Sequence, residues 1–136
     1  MIYDLKLKEI INEIIESGKY TDSSLYGGKY VQLFEHELSK YLKAPTVVVN
    51  SGTSALILSL HLAGVRAGDR VIIPAYSFIA TKNAVLAVGG IPVYCDIKDD
   101  YTINWDVVPA VPSKAVVVVD LYGNLADIPD IPIPII

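Results

Sequence analysis

Asn50, Ser51, Gly52, Thr53 and Ser54 follow one another between two apolar segments, in "VVVNSGTSALILSLHLAG" from Val47 to Gly64. Small hydrogen-bonding residues at such a place suit an anion. A helix N-terminus leaves its first backbone N–H groups unpaired and carries a partial positive charge, which together favour a phosphate. Gly52 lets the backbone approach a ligand closely, and Thr53 and Ser54 add hydroxyl donors. The same residues also make an ordinary Ser or Thr N-cap. The stretch is neither a G-x-G-x-x-G fingerprint nor a P-loop, so it does not favour a mononucleotide or dinucleotide.

Two further stretches carry chemistry. In "IIPAYSFIAT", Ile72 to Thr81, Pro74 ends an apolar run, and Tyr76 and Phe78 are placed either to cover a flat ring or to pack in a core. In "VVDLYGNLAD", Val118 to Asp127, Asp120 and Tyr122 stand at another strand end. Asp120 there either orients a ligand or caps a turn at Gly123. Ligands of open α/β sheets bind beyond the carboxyl ends of the strands. The three stretches therefore describe one edge with a phosphate cradle, an aromatic lid and a polar neighbour.

The elements that must position these residues follow from the pattern. Ile10, Ile11, Ile14 and Ile15 form one stripe of a helix from Asp4 to Glu16, closed by Gly18. A second helix runs from Lys29 to Leu42 with Val31, Phe34, Leu38 and Tyr41 on one face, and "TDSSLYGGK" joins the two as a polar loop. Then "TVVV", "RVII", "IPVYC" and "AVVVV" read as strands, with helices over Thr53 to Ala63 and Ser77 to Val88. Asp99 to Pro112 reads as irregular chain with a short helix. Strands without alternation, separated by helices, imply a mostly parallel sheet covered on both faces, a three-layer α/β/α arrangement. Residues 1–45 read as a helical segment and residues 46–136 as part of one large domain. Ile135 and Ile136 look like the opening of another buried strand, and a cut through a larger domain is the expectation for that end.

Composition narrows the class. The chain has 136 residues, is 52% hydrophobic and 19% charged, and has a mean hydropathy of +0.44. That excess of apolar residues predicts oligomerisation or membership of a larger unit. No apolar run reaches the length of a membrane helix, and acidic residues interrupt any signal-like region at the start. A net charge of −4 gives no electrostatic case for nucleic acid or an anionic membrane. Half of the charged residues lie in the first 43 positions, so that part is the wetter one. The single Cys95 excludes an intrachain disulfide and reads as a buried strand residue. No metal-ligand spacing is present. The default compartment is the cytoplasm.

"GGKYVQLFEHELSKYL", then "NSGTSAL", "AGDRVIIPAYSFIAT" and "IPVYCDI", then "KAVVVVDLYGNLADI", in that order from Tyr26 to Ile128, resemble the DegT/DnrJ/EryC1/StrS aminotransferases. The resemblance implies a fold-type-I enzyme using pyridoxal 5′-phosphate (PLP), in many members acting on nucleotide-linked keto-sugars. It puts the cofactor phosphate at Gly52, Thr53 and Ser54 and stacks Phe78 on the pyridine ring. Asp120 stands where the family often has His. The family's acidic E-D-x-x-Q motif and its Schiff-base lysine, which make the cofactor an electron sink, have no counterpart up to Ile136, so no catalytic residue is assigned. Lys82 and Lys114 lie in no matching motif, and His36 and His61 read as helix residues. The resemblance further implies an amino-acid donor such as glutamate, a keto-sugar nucleotide acceptor and a homodimer of the full-length enzyme. A dehydratase or lyase on the same fold, and a non-catalytic split-gene half or pseudoenzyme acting as an assembly partner, remain open beside it.

Overall fold

The structure is a computed structural model and describes residues 5–20 and 27–136. Asp4 and residues 21–26 of the expected polar loop lie outside the described residues. Two compact units are present, residues 1–48 and residues 49–136.

The first unit holds two helices, α1 (Leu5–Ser17) and α2 (Lys29–Leu42). Gly18, in the left-handed region at φ 62°, ends α1, with its amide on the Ile15 carbonyl at 3.2 Å. Lys43 at φ 54° ends α2, its amide on the Ser39 carbonyl. Glu13 of α1 accepts from Lys29 Nζ at 2.6 Å and from the Tyr30 hydroxyl at 2.9 Å. The apolar stripes are present, yet they do not close a core: no residue of α2 is buried, and Ile11, Ile15 and Phe34 are exposed.

The expected strand at "TVVV" is absent. Thr46 to Val49 has no regular structure, and Val47 is 77% exposed. Its amides are taken by side chains instead: Thr46 N–H donates to Ser39 Oγ and Val48 N–H to Glu35 Oε1, both at 3.0 Å. β-branched composition fits a pleated surface, but a strand also needs a neighbour with free backbone groups. Among the described residues this segment has none.

The second unit is α/β. After α3 (Gly52–Leu62), β1 (Arg70–Pro74), α4 (Ile79–Ala87) and β2 (Ile91–Cys95) form a βαβ crossover, followed by a 3-10 turn at Trp105–Val107, β3 (Ala115–Val116) and a second 3-10 turn at Leu121–Gly123. The three strands are parallel in the order β2-β1-β3. Val116 also bridges Ile135 in parallel, and the Ile136 amide donates to the Val116 carbonyl at 3.0 Å. The terminal apolar residues thus lie beside β3, half-buried and joined by an isolated bridge, where the sequence suggested the opening of a buried strand.

Central β1 is buried on both faces. Val71 and Ile73 join Leu60 of α3, Ala84 and Val85 of α4, and Ala115 and Val117 on one face. Ile72, Cys95, Ile103 and Val116 form the core of the other. Helices cover the first face. The second is covered by the chain around Trp105 and Val108 and by Ile131 and Ile135 rather than by an α-helix. α3 is apolar all round, as a helix enclosed on several sides would be, and Leu58 and Leu62 on it are exposed. Pro92 is tolerated because β2 is an edge strand. The turn from α4 into β2 needs its glycines: Gly89 has φ 78°, and a Cβ on Gly90 would lie 3.1 Å from the Val85 carbonyl oxygen. Among the described residues no helix is long and apolar enough to cross a membrane.

Candidate functional site

The parallel sheet brings the start of α3, the link from β1 to α4 and the chain after β3 to one edge. They line a hollow of about 460 Å³, within the range of small-molecule sites. Gly52, Thr53 and Leu56 form one wall, Ser77, Phe78 and Thr81 another, and Val117 to Asp120 the floor.

Ser51 is extended (φ −161°, ψ 157°) and caps α3 by accepting from the Ser54 amide at 3.1 Å. Its carbonyl accepts the Ala55 amide at 3.1 Å. That leaves the Gly52 and Thr53 amides, and the Thr53 hydroxyl, without a partner among the described residues. They are the orphan donors every helix start presents, here facing a hollow. A Cβ on Gly52 would meet nothing within 4 Å. Ser54 is arranged differently: its hydroxyl donates to Asn50 Oδ1 at 2.7 Å and lies 2.9 Å from Ser51 Oγ. Asn50, Ser51 and Ser54 interlock, and Ser54 is not part of the wall.

Phe78 is extended (φ −63°, ψ 143°), immediately precedes α4, and is 73% exposed, so its ring is not core packing. Behind it Ser77 Oγ and buried Thr81 Oγ1 share a hydrogen bond of 2.8 Å. Asp120 lines the hollow and also caps a turn. Its Oδ1 accepts the Ala126 amide at 2.9 Å, and its carbonyl accepts Gly123 N–H at 3.1 Å.

Tyr76 and Tyr122, singled out separately in the sequence, meet around Tyr101, which the sequence reading passed over. Tyr101 and Tyr122 have left-handed backbones at φ 68° and 59°, a conformation costing an L-residue about 1–2 kcal/mol. An Asx turn sets the first: Asp100 Oδ1 accepts from the Thr102 amide at 2.9 Å and its hydroxyl at 2.7 Å. These bonds hold the Asp100 carboxyl below its usual range. The D-x-T pattern was the available signal. The shared hydrogen bond with Tyr76 pushes the Tyr122 phenol up.

Other candidates stand elsewhere. Lys114 precedes β3, at the amino end of the sheet, where its amide donates to the Arg70 carbonyl at 2.8 Å. Lys82 is on α4 but not in the wall, so no lysine among the described residues lines the hollow. His61 is on α3 away from the wall, and His36 lines a separate hollow within the first unit beside Glu35 and Val47. Cys95 is 1% exposed, its thiol directed to the Asn104 carbonyl at 3.4 Å, and burial pushes that thiol up. No metal-type cluster of His, Cys, Asp or Glu occurs among the described residues.

Comparison with known proteins bears on this edge. The model of the DegT/DnrJ/EryC1/StrS aminotransferase family matches residues 4–132. The 3-oxo-glucose-6-phosphate:glutamate aminotransferase of Bacillus subtilis is 38% identical over 137 residues, covering 93% of this chain and 30% of that protein. An L-glutamine:2-deoxy-scyllo-inosose aminotransferase of Streptomyces lividus is 39% identical over 127 residues, covering 88% of this chain and 30% of its own length. The chain thus spans about 30% of the length of the curated relatives it matches. Among solved structures, NtdA from Bacillus subtilis with bound cofactor PMP superposes with a TM-score of 0.76 at 39% identity, covering 90% of this chain and 29% of that one. The sugar aminotransferase Spr1654 from Streptococcus pneumoniae in its PMP form gives 0.76 at 31% identity, over 90% of this chain and 31% of its own. With the match running through both units and the parallel sheet shared, the chain belongs to the DegT/DnrJ/EryC1/StrS aminotransferase family.

Proposed function

We propose that this chain supplies the phosphate and ring seat for PLP in an aminotransferase that moves an amino group from an amino acid, glutamate in our reading, to a keto-sugar nucleotide. The observation that carries the reading is the pair of unpartnered amides at Gly52 and Thr53, opening into a hollow that also holds the exposed Phe78 ring.

The residues fit such a group. The amides and the positive end of α3 suit a phosphate dianion, and the missing Cβ at Gly52 leaves room for it to approach. Thr53 adds a hydroxyl donor. Ser54 takes a supporting part in this reading, because its proton is directed to Asn50; it keeps the turn in shape. Phe78 covers one face of the ring, and Leu56 and Val117 to Val119 exclude water beneath it. PLP, when bound, acts as an electron sink and carries the amino group between the two substrates. This chain's part is binding and orientation: no lysine among the described residues borders the hollow. Proton transfer and covalent attachment therefore fall outside the residues assigned here. As in the sequence reading, the working enzyme is a cytoplasmic homodimer.

Titrating the protein with PLP and following the cofactor's absorbance tests the seat. Phe78→Ala is expected to weaken binding by about 0.5–1.5 kcal/mol, the worth of an aromatic pair. It leaves the melting temperature unchanged because the ring is 73% exposed. Absence of saturable PLP binding by the unmutated protein would refute the proposal.

A further inference from the structure

Two helices begin at the hollow, α3 and α4, and their first turns share a device. In α3 the residue before the cap, Asn50, accepts from the hydroxyl of Ser54, four positions on, at 2.7 Å. In α4 the residue before the cap, Ser77, shares a hydrogen bond of 2.8 Å with the hydroxyl of Thr81, again four positions on. Each clasp spans one extended cap residue, Ser51 (φ −161°, ψ 157°) in α3 and Phe78 (φ −63°, ψ 143°) in α4.

The two spanned residues differ in what they offer the helix. Ser51 Oγ takes the Ser54 amide, as an N-cap side chain does. Phe78 has no acceptor to give, and no side chain caps α4. The Thr81 amide turns instead to the Phe78 carbonyl at 3.1 Å. Ser, Thr, Asp or Asn at position 78 would hold the start of α4 better. The ring there serves something other than the helix, and position 78 lines the hollow.

Without a cap, the clasp is the side-chain bond that fixes the entry to α4. Ser77 and Thr81 flank Phe78 along the chain, so their bond limits the backbone that carries the ring. Thr81 is buried, and its hydroxyl has no other partner among the described residues. Water competes poorly for a bond so enclosed. Upstream, the Ala75 amide donates to the Cys95 carbonyl at 2.7 Å and ties the same link to β2.

We propose that Ser77 and Thr81 are positioning residues whose hydroxyl clasp holds Phe78 in place as the ring that covers the cofactor. What the ring covers rests on the cofactor reading above; the clasp rests on the parallel between the two helix starts. The hydroxyls act through Phe78 and need not touch the ligand. A ring already placed loses less freedom when a flat ligand docks, so affinity rises without a new contact.

The double variant Ser77→Ala, Thr81→Val tests the clasp. Both partners go together and valine keeps the outline of threonine, so the melting temperature is expected to stay near the parent's. Amide hydrogen exchange at position 81, corrected for the intrinsic rate of the new residue, should be at least threefold faster, with the β1 amides unchanged. PLP should bind about three- to tenfold more weakly, the worth of one hydrogen bond. In a Phe78→Ala background the same double change should leave PLP affinity within about 1.5-fold, because residues that act through one another do not add. Thr81→Ser keeps the hydroxyl and should retain the parent's exchange and affinity. Should the double variant fail to fold, Ser77→Ala alone, outside the helix, is expected to speed exchange at position 81 at least twofold. Unchanged exchange there in a folded variant would overturn the clasp. An equal loss of PLP affinity with and without the Phe78 ring would overturn the positioning role, since the hydroxyls would then act on the ligand directly. Faster exchange in the variant of a parent that binds no PLP would uphold the clasp and refute the cofactor seat.

Discussion

Gly52→Ala separates a ligand-holding turn from a mere helix cap. Gly52 is the first residue of α3, its φ lies outside the left-handed region, and an added Cβ meets nothing within 4 Å. In the protein alone the methyl group is harmless. Alanine also loses less backbone freedom on folding, a gain of about 0.4–1 kcal/mol at a compatible site, or a rise in melting temperature of roughly 2–4 °C for a domain of this size. With a phosphate seated on the Gly52 and Thr53 amides, the methyl group occupies space the oxygens need. Losing one charge-assisted hydrogen bond costs about 1.5–3 kcal/mol, which is on the order of 10- to 150-fold in affinity. The two effects have opposite signs in one variant, so misfolding cannot imitate the result. Differential scanning calorimetry gives the first and a PLP titration the second. Unchanged PLP affinity in a variant that melts at or above the parent temperature would show that the open space at Gly52 is not the phosphate seat.

Thr53→Ala should lower PLP affinity by about 1 kcal/mol with little effect on melting, because the Thr53 hydroxyl has no partner among the described residues. Ser54→Ala should do the reverse in the same titration and melt: it removes the bonds to Asn50 and Ser51 and costs about 0.5–1.5 kcal/mol of stability. Equal effects of the two on PLP would contradict the division of labour drawn here. Cys95, 1% exposed and with its thiol pushed up by burial, should react with a thiol reagent at pH 8 only as fast as the protein opens. The sign of its pH effect follows. Below the ordinary thiol range, near 9.0, both states stay protonated and nothing changes. As pH rises through that range the unfolded thiol ionises first, so stability falls, and Cys95→Ser should flatten that alkaline limb in denaturant titrations. A thiol that reacts at the rate of a free cysteine would contradict its burial.

Most of the fold was legible because its signals are local. The stripe from Val31 to Tyr41 marks α2 from Lys29 to Leu42, the same bounds the structure has. "RVII" and "IPVYC" lie within strands whose partners are in the chain, and α3 and α4 begin within two residues of expectation. Where the reading failed, the missing information was a partner. "TVVV" and "RVII" each carry three successive β-branched apolar residues, but the second lies between β2 and β3 while the first pairs with no strand among the described residues. "AVVVV" is an intermediate case. Regular pairing with β1 stops at Val116, and the Val118 amide turns to the Ile136 carbonyl at 2.8 Å on the other side. β-branched residues report that a segment suits a pleat, and nothing in them names what lies across it.

The edge that carries the candidate site was legible for a different reason. A parallel sheet puts every strand's carboxyl end on one side, so "AYSF" after β1 and "VVDLYG" after β3 were certain to converge once those strands were assigned; "NSGTS" follows no strand and reaches the same edge because α3 packs on the sheet. What composition could not supply was the direction of each proton. Thr53 and Ser54 are both half-buried hydroxyls one residue apart, yet only Thr53 borders the hollow, because Asn50 and Ser51 engage Ser54. Tyr101 escaped for the opposite reason: its strand-end neighbours were noticed, but it reaches them through a left-handed turn set by Asp100 and Thr102. A donor is available to a ligand only if no nearer acceptor takes it, and a ring joins a cluster only if its backbone delivers it there. Both conditions depend on three or four residues at once. That is why residue types located this site while its working atoms had to be read from hydrogen bonds.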